Sequence, residues 1–204
     1  MSKSNAAQNI NGWIIIDKPT GMTSSAVVNK IKWACSARKA GHAGTLDPSA
    51  TGILAIALGE ATKTIPYVTE QIKSYTFEVK WGEATDSDDS DGKIIKTSQM
   101  RPSEQDIIAI LPRFRGEIKQ TPPFFSAVKI NGRRAYELAR SGEDFDIASR
   151  SLFVSSLKLE KYISENSAIL SLECGKGGYV RSIARDLGLE LGCYGHVKLS
   201  LIHI

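Results

Sequence analysis

The chain has 204 residues, 42% of them hydrophobic and 24% charged, an ordinary balance for one substantial domain or a domain with a small appended lobe. A net charge of +4 suits a polyanionic partner without demanding one. Cys35, Cys174 and Cys193 are widely spaced and form no CxxC, and there are only three histidines; this excludes a disulfide scaffold or zinc site as the organising principle and fits a reducing compartment.

Taken in order, residues 1–9 read as a flexible lead-in without the apolar run of a signal peptide, and no stretch approaches a membrane span; the expectation is a soluble, cytoplasmic protein. GWIIID, Gly12 to Asp17, reads as a buried strand ended by Lys18-Pro19-Thr20-Gly21. Thr23 or Ser24 is placed to cap a helix whose apolar stripe is Ala26, Val27, Ile31 and Ala34. From Lys18 to Leu46 every charged residue is basic (Lys18, Lys30, Lys32, Arg38, Lys39), a patch suited to phosphates or simply to solvent.

The stretch from Arg38 to Lys63 puts His42, Thr45 and Asp47 within six residues. Pro48 pushes Asp47 towards extended geometry on a shaped loop, and ATGILAIALG behind it is small and apolar enough for a core strand. A carboxylate held in this way is a candidate nucleophile or base; an Asp-Pro turn leading into a core strand is the plainer alternative.

YTFEVKWG alternates as a strand from Tyr75. Glu83, Asp86, Asp88, Asp89 and Asp91 follow without a basic residue and read as an exposed turn, one that shapes or repels RNA; the calcium-loop pattern fails because Thr97 stands at its closing position. Ser103 to Asp106 opens a short helix that Pro112 stops. Asn131-Gly132 marks a turn, and Arg133 and Arg134 then start a helix through Arg140 with Gly142 as its cap. The basic and aromatic residues of 113–140 suit an RNA-facing lobe or plain packing. AILSLEC, Ala168 to Cys174, alternates as another strand, and a helix opens at Tyr179–Ser182. GKGGYVRS lacks the order of a triphosphate-binding loop, and no regular βαβ rhythm argues for a doubly wound sheet.

Four ordered stretches, GWIIIDKPTGMTS, RKAGHAGTLDPSATGILAIALGEATK, KSYTFEVKWG and GKGGYVRSIARDLG with GCYGHV, resemble the TruB-type bacterial tRNA pseudouridine synthases over about residues 11–197. FFSAVKINGRRAYELAR looks like that family's lobe motif. A related group, the archaeal and eukaryotic catalytic subunit that works with guide RNA, is the less similar option. The resemblance implies an α+β pseudouridine synthase fold: a twisted, mixed, largely antiparallel sheet with flanking helices and a central catalytic cleft. It implies isomerisation of uridine 55 in the T-arm loop of tRNA, a C–N glycosidic bond exchanged for a C–C bond, with no cofactor and no metal. The implied partner is the tRNA T-arm, with no membrane and no stable protein partner, hence a monomer. A non-catalytic RNA-binding or tRNA-chaperone module, or a catalytically impaired fragment of the synthase, is the alternative.

By the same resemblance the catalytic carboxylate is Asp47, acting either by sugar-proton abstraction or by attack on the sugar. Tyr75 falls on the tyrosine that stacks on the target base and is implicated in late C5 deprotonation, and Arg181 on the arginine that pairs with the catalytic aspartate. His42 falls on the histidine set against the flipped-out nucleotide or its neighbours, and Tyr179 lines the pocket. Lys18 touches RNA phosphate or braces the active-site loop, and Lys63 is a further phosphate contact. Gly178 stands where the family commonly has threonine. After GHV, the residues KLSLIHI depart from the family's continuation. The expectation is a catalytic domain over 10–197 that is C-terminally incomplete, an atypical tail at 198–204, marginal stability and weak, salt-sensitive RNA affinity.

Overall fold

The computed structural model describes residues 8–203, excepting the side chains of 199–203; residues 1–7 of the expected lead-in lie outside it. The chain divides into two compact units, one comprising residues up to Lys73 together with those from Ser200, the other Ser74–Leu199.

In the first unit, β3 (Thr51–Leu58) is the interior strand. Along one edge β1 (Gly12–Lys18) runs antiparallel, from Gly12 opposite Leu58 to Lys18 opposite Gly52. The other edge is shared. There β2 (Ala40–His42) pairs antiparallel with Ile56–Leu58, while Leu201 and Ile202 of β12 (Gly195–His203) pair parallel with Thr51 and Gly52. Leu54 to Leu58 are all buried without alternation, so both faces of β3 are covered, and its small apolar run meets that demand.

Thr23 is the cap of α1 (Ser24–Ala34), its side chain accepting from Ala26 N at 3.1 Å. The buried face of α1 is Ser24, Val27 and Val28; Ile31 is half-buried and Ala34 exposed, so the expected stripe is rotated towards the helix start. A 3₁₀ turn over Gly59–Thr64 leads into α2 (Ile65–Thr69). Gly59 has φ +57, and a Cβ there would collide with the Asn11 side chain and the Ile10 carbonyl. Asn11 Oδ1 uses that space to accept from Glu60 N at 2.7 Å.

β4 (Lys73–Trp81) carries the chain into the second unit, with Tyr75, Phe77, Val79 and Trp81 all buried and the residues between them more open, as the alternation predicts. The sheet order there is β12–β4–β11–β10–β7, with β7 at Gly116–Gln120, β10 at Arg150–Ser164 and β11 at Ser167–Cys174. β10 is antiparallel to both its neighbours. A capping box of Ser103 and Asp106 starts α3 (Glu104–Ile110), as the spacing predicts. The last helix, α5 (Val180–Glu190), buries Ile183, Ala184, Leu187 and Gly188. A Cβ on Gly188 would strike the backbone of Tyr194 and Gly195, so glycine is what lets the helix lie against that turn. Mixed, largely antiparallel strands with helices beside them make this the expected α+β class.

Two further expectations are corrected. Arg133 and Arg134 form β9 and pair with β8 (Lys129–Ile130) around Asn131-Gly132; the helix, α4, begins only at Ala135 and ends at Arg140. The Asn-Gly turn closes a two-residue hairpin, which takes up both arginines before helix can form. The acidic stretch is not an exposed turn. It lies between the hairpin strands β5 (Glu83–Thr85) and β6 (Ile94–Thr97), and Thr85, Ser87 and Asp88 are buried. The cause is a set of arginines on α5, described below.

Candidate active site

In the first unit, Asp47 sits half-buried on the loop between β2 and β3. That loop is fastened on both sides of the aspartate by the segment joining β1 to α1. On the near side, Ser24 Oγ accepts from Leu46 N at 2.9 Å and donates to Leu46 O at 3.1 Å. On the far side, Gly21 N donates to Pro48 O at 2.8 Å and Thr20 Oγ1 to Ser49 O at 3.2 Å. Lys18 completes the fastening: its ammonium donates to Pro19 O at 2.8 Å, Met22 O at 2.9 Å and Pro48 O at 3.2 Å. An ammonium has three protons, so these three carbonyls use all of them. The residue is fully buried, and burial lowers its pKa below the usual lysine value while the Asp47 carboxylate opposes that shift. Of the two roles expected for Lys18, these surroundings support the brace and leave no proton for a phosphate.

His42 ends β2 opposite Ile56, half-buried, and its Nδ1 is enclosed without a hydrogen-bond partner among the described residues. Lys63 is exposed on the turn after β3, ion-paired with Glu60 one turn earlier. Such an exposed pair is weak and readily exchanged for another anion.

In the second unit, Tyr75 is buried on β4, and burial, helped by Cys174, raises the pKa of its hydroxyl above that of an ordinary phenol. Tyr179 precedes α5, where Gln120 holds its backbone on both sides: Tyr179 N donates to Gln120 Oε1 at 2.9 Å, and Gln120 Nε2 donates to Tyr179 O at 3.1 Å. This fixes where the last helix starts, and with it Arg181 two residues on. Gly178 lies so close to Cys174 that a Cβ would run into its sulfur.

Arg181 is buried in the first turn of α5. Its Nη1 donates to Ser87 O at 3.1 Å and lies 3.5 Å from Asp89 Oδ2, and its Nη2 donates to Phe125 O at 3.1 Å. Asp89 is itself tied down, Oδ1 accepting from Ser87 Oγ at 2.5 Å and from Asp91 N at 3.1 Å. One turn along the helix, Arg185 Nη1 meets Asp88 Oδ2 at 2.8 Å. Burial pushes the Asp88 carboxyl up to about 6, outweighing the opposite pull of Arg185 and then Arg181.

Asp47, His42, Lys18 and Lys63 thus belong to one unit, and Tyr75, Tyr179 and Arg181 to the other. Reading the sequence missed Asp89, Asp88, Arg185 and Gln120. The available signal was five acids without a base, a concentration of charge that calls for distant cations when it is buried. Asp88 and Arg185 are 97 residues apart, so no local pattern links them.

The model of the TruB family pseudouridylate synthase N-terminal domain matches residues 32–180. The chain belongs to the TruB family. Among its relatives in that family, it is 57% identical over 198 residues to tRNA pseudouridine synthase B of Ruegeria pomeroyi and 58% identical over 198 residues to that of Cereibacter sphaeroides. Each match takes in 97% of this chain but only 65% and 66% of the relatives' own lengths. A crystal structure of a Cbf5–Nop10–Gar1 complex matches with a TM-score of 0.71 at 28% identity, over 96% of this chain and 49% of the matched one. The TruB chain is therefore much nearer in sequence to the bacterial synthases than to that protein. Among the described residues no group of three or more His, Cys, Asp and Glu is arranged to hold a metal ion, and no helix is long and apolar enough to cross a membrane.

Proposed function

We propose that the chain is a tRNA pseudouridine synthase that isomerises uridine 55 in the T-arm loop, as a cytoplasmic monomer. The observation that carries this reading is identity above half, along nearly the whole chain, to proteins named tRNA pseudouridine synthase B; the chain itself carries the GHAGTLDP stretch with its aspartate. The loop fastening supports it: a carboxylate held on both flanks keeps its aim at a reacting atom, which a binding module does not need.

The reaction breaks the N1–C1′ bond of uridine and forms a C5–C1′ bond; C5 loses its hydrogen to solvent and N1 gains a proton. Asp47 supplies the carboxylate that opens the sequence, by taking a sugar proton or by attacking the sugar. Tyr75 offers an aromatic face for the uracil. Its hydroxyl, with a pKa raised by burial, is uncharged at neutral pH, and it is the group implicated in the late deprotonation at C5. Arg181 contributes a permanent cation with a rigid fork. The half-buried imidazole of His42 is suited to contact the flipped-out nucleotide or its neighbours, and exposed Lys63 to a phosphate.

The experiment is tritium release from a T-arm stem-loop labelled at C5 of its uridines, with pseudouridine located by nuclease mapping. Asp47→Asn should lower the single-turnover rate by at least about three orders of magnitude with RNA affinity little changed, because the amide keeps the shape and loses the chemistry. A wild-type chain that binds the stem-loop without releasing tritium would favour the non-catalytic RNA-binding alternative.

A further inference from the structure

Arg181 and Arg185 are four residues apart and so lie on one face of α5. They reach the same two segments of chain, one turn apart. Arg181 donates to Ser87 O and Phe125 O. Arg185 donates through Nη1 to Asp88 Oδ2 and through Nη2 to Thr121 O, each at 2.8 Å. Its Nε donates to Asp186 Oδ1, also at 2.8 Å, so each nitrogen of the fork has a protein acceptor. Ser182 Oγ adds a bond to Thr121 O at 2.8 Å.

The backbone at Asp88 makes the arrangement specific. In extended chain, neighbouring side chains point to opposite sides. Asp88 has φ +62, a left-handed conformation that aspartate tolerates better than most residues. The resulting bend turns two consecutive carboxylates to the same helix, Asp88 to Arg185 and Asp89 to Arg181. Val197 N donates to Asp88 O at 3.1 Å and fixes the bend from behind.

We infer that Arg185, acting through Asp88 and Thr121, is a positioning residue for Arg181: it holds the two segments whose oxygens aim the Arg181 guanidinium. This inference rests on the proposed synthase activity, in which Arg181 takes part. Without Arg185 the Asp88 carboxylate loses its partner on α5 and Thr121 O keeps only Ser182 Oγ there, so the acceptors of Arg181 are held less firmly.

The test compares Arg185→Gln, Arg185→Lys, Asp88→Asn and the double variant Asp88→Asn/Arg185→Gln by single-turnover pseudouridine formation on the T-arm stem-loop. Each is assayed at a temperature where circular dichroism shows it folded. Arg185→Gln should slow the chemical step by about 10- to 100-fold, the scale of a misplacement near 1 Å, with RNA affinity unchanged within about twofold. Arg185→Lys keeps the charge opposite Asp88 and should recover part of the loss. The double variant should be no slower than Arg185→Gln alone, because the pair acts as one unit. A folded Arg185→Gln variant with the wild-type rate, a loss confined to RNA affinity, or losses that multiply in the double variant would overturn the inference and leave the synthase reading intact. A wild-type chain that forms no pseudouridine overturns both.

Discussion

Lys18→Met separates bracing from RNA contact. Methionine replaces the aliphatic stem of lysine and removes three charge-assisted hydrogen bonds, to Pro19 O, Met22 O and Pro48 O. Pro48 O keeps a donor, since Gly21 N reaches it at 2.8 Å; the other two carbonyls lose the lysine donor. At about 1–2 kcal/mol for each stranded acceptor the variant is destabilised by about 2–4 kcal/mol, the relief of an unfavourably buried charge drawing it towards the lower end. For a chain of this size that is a fall in Tm of roughly 5–15 °C. The loop holding Asp47 loosens as well, so the single-turnover rate should fall by about tenfold or more at temperatures where the variant is folded. Thermal unfolding followed by circular dichroism gives the first quantity, and rapid-quench assay of the stem-loop the second. The brace argument is wrong if Tm holds and RNA affinity instead weakens with a shallower salt dependence, which is the signature of a lost phosphate contact.

Tyr75→Phe should retain RNA binding and slow only the later step that needs a hydroxyl, whereas Tyr75→Leu should damage base stacking and rate together; equal, near-wild-type product from both places Tyr75 outside the chemistry. Asp88 carries a pH signature in stability. Its folded pKa of about 6 stands above the ordinary 3.8, so the folded chain holds this proton more tightly than the unfolded one. The contribution is full below about pH 4 and is lost as the pH rises through about 6, on the order of 2–3 kcal/mol. Urea unfolding of wild type and Asp88→Asn across that range should show the wild type losing ground to the variant as pH increases; parallel curves refute the shift.

Much of the first unit is legible in sequence because its cues are local. The Thr23 cap, the small apolar run of β3 and the turn at Lys18-Pro19-Thr20-Gly21 each declare themselves within a few residues. The fastening of Asp47 is not legible in that way: Ser24 with Leu46, and Lys18 with Pro48, are joined by side chain to backbone, and serine and lysine have many other uses. For Lys18 the sequence allowed either a phosphate contact or a brace; its burial, which favours the brace, is not visible in the sequence. The acidic stretch misleads because charge usually marks solvent, whereas here α5 supplies the cations from far along the chain. On α1, counting apolar residues put Ala34 on the buried face; alanine is too small to command a face, and Val27 and Val28 take it.

Two pieces of chain share one edge of β3. β2 takes Ile56 to Leu58, the end of β12 takes Thr51 and Gly52, and Ala43 N reaches Ala55 O at 3.0 Å between them. Continued in the same register, the hairpin from β2 to β3 would zip onward past Ala43 and pair residues 44–47 with 54–51. The end of β12 occupies the last two of those rungs, at Thr51 and Gly52. The loop of Asp47 is thus bounded on one side by a rival strand arriving some 150 residues later in the chain.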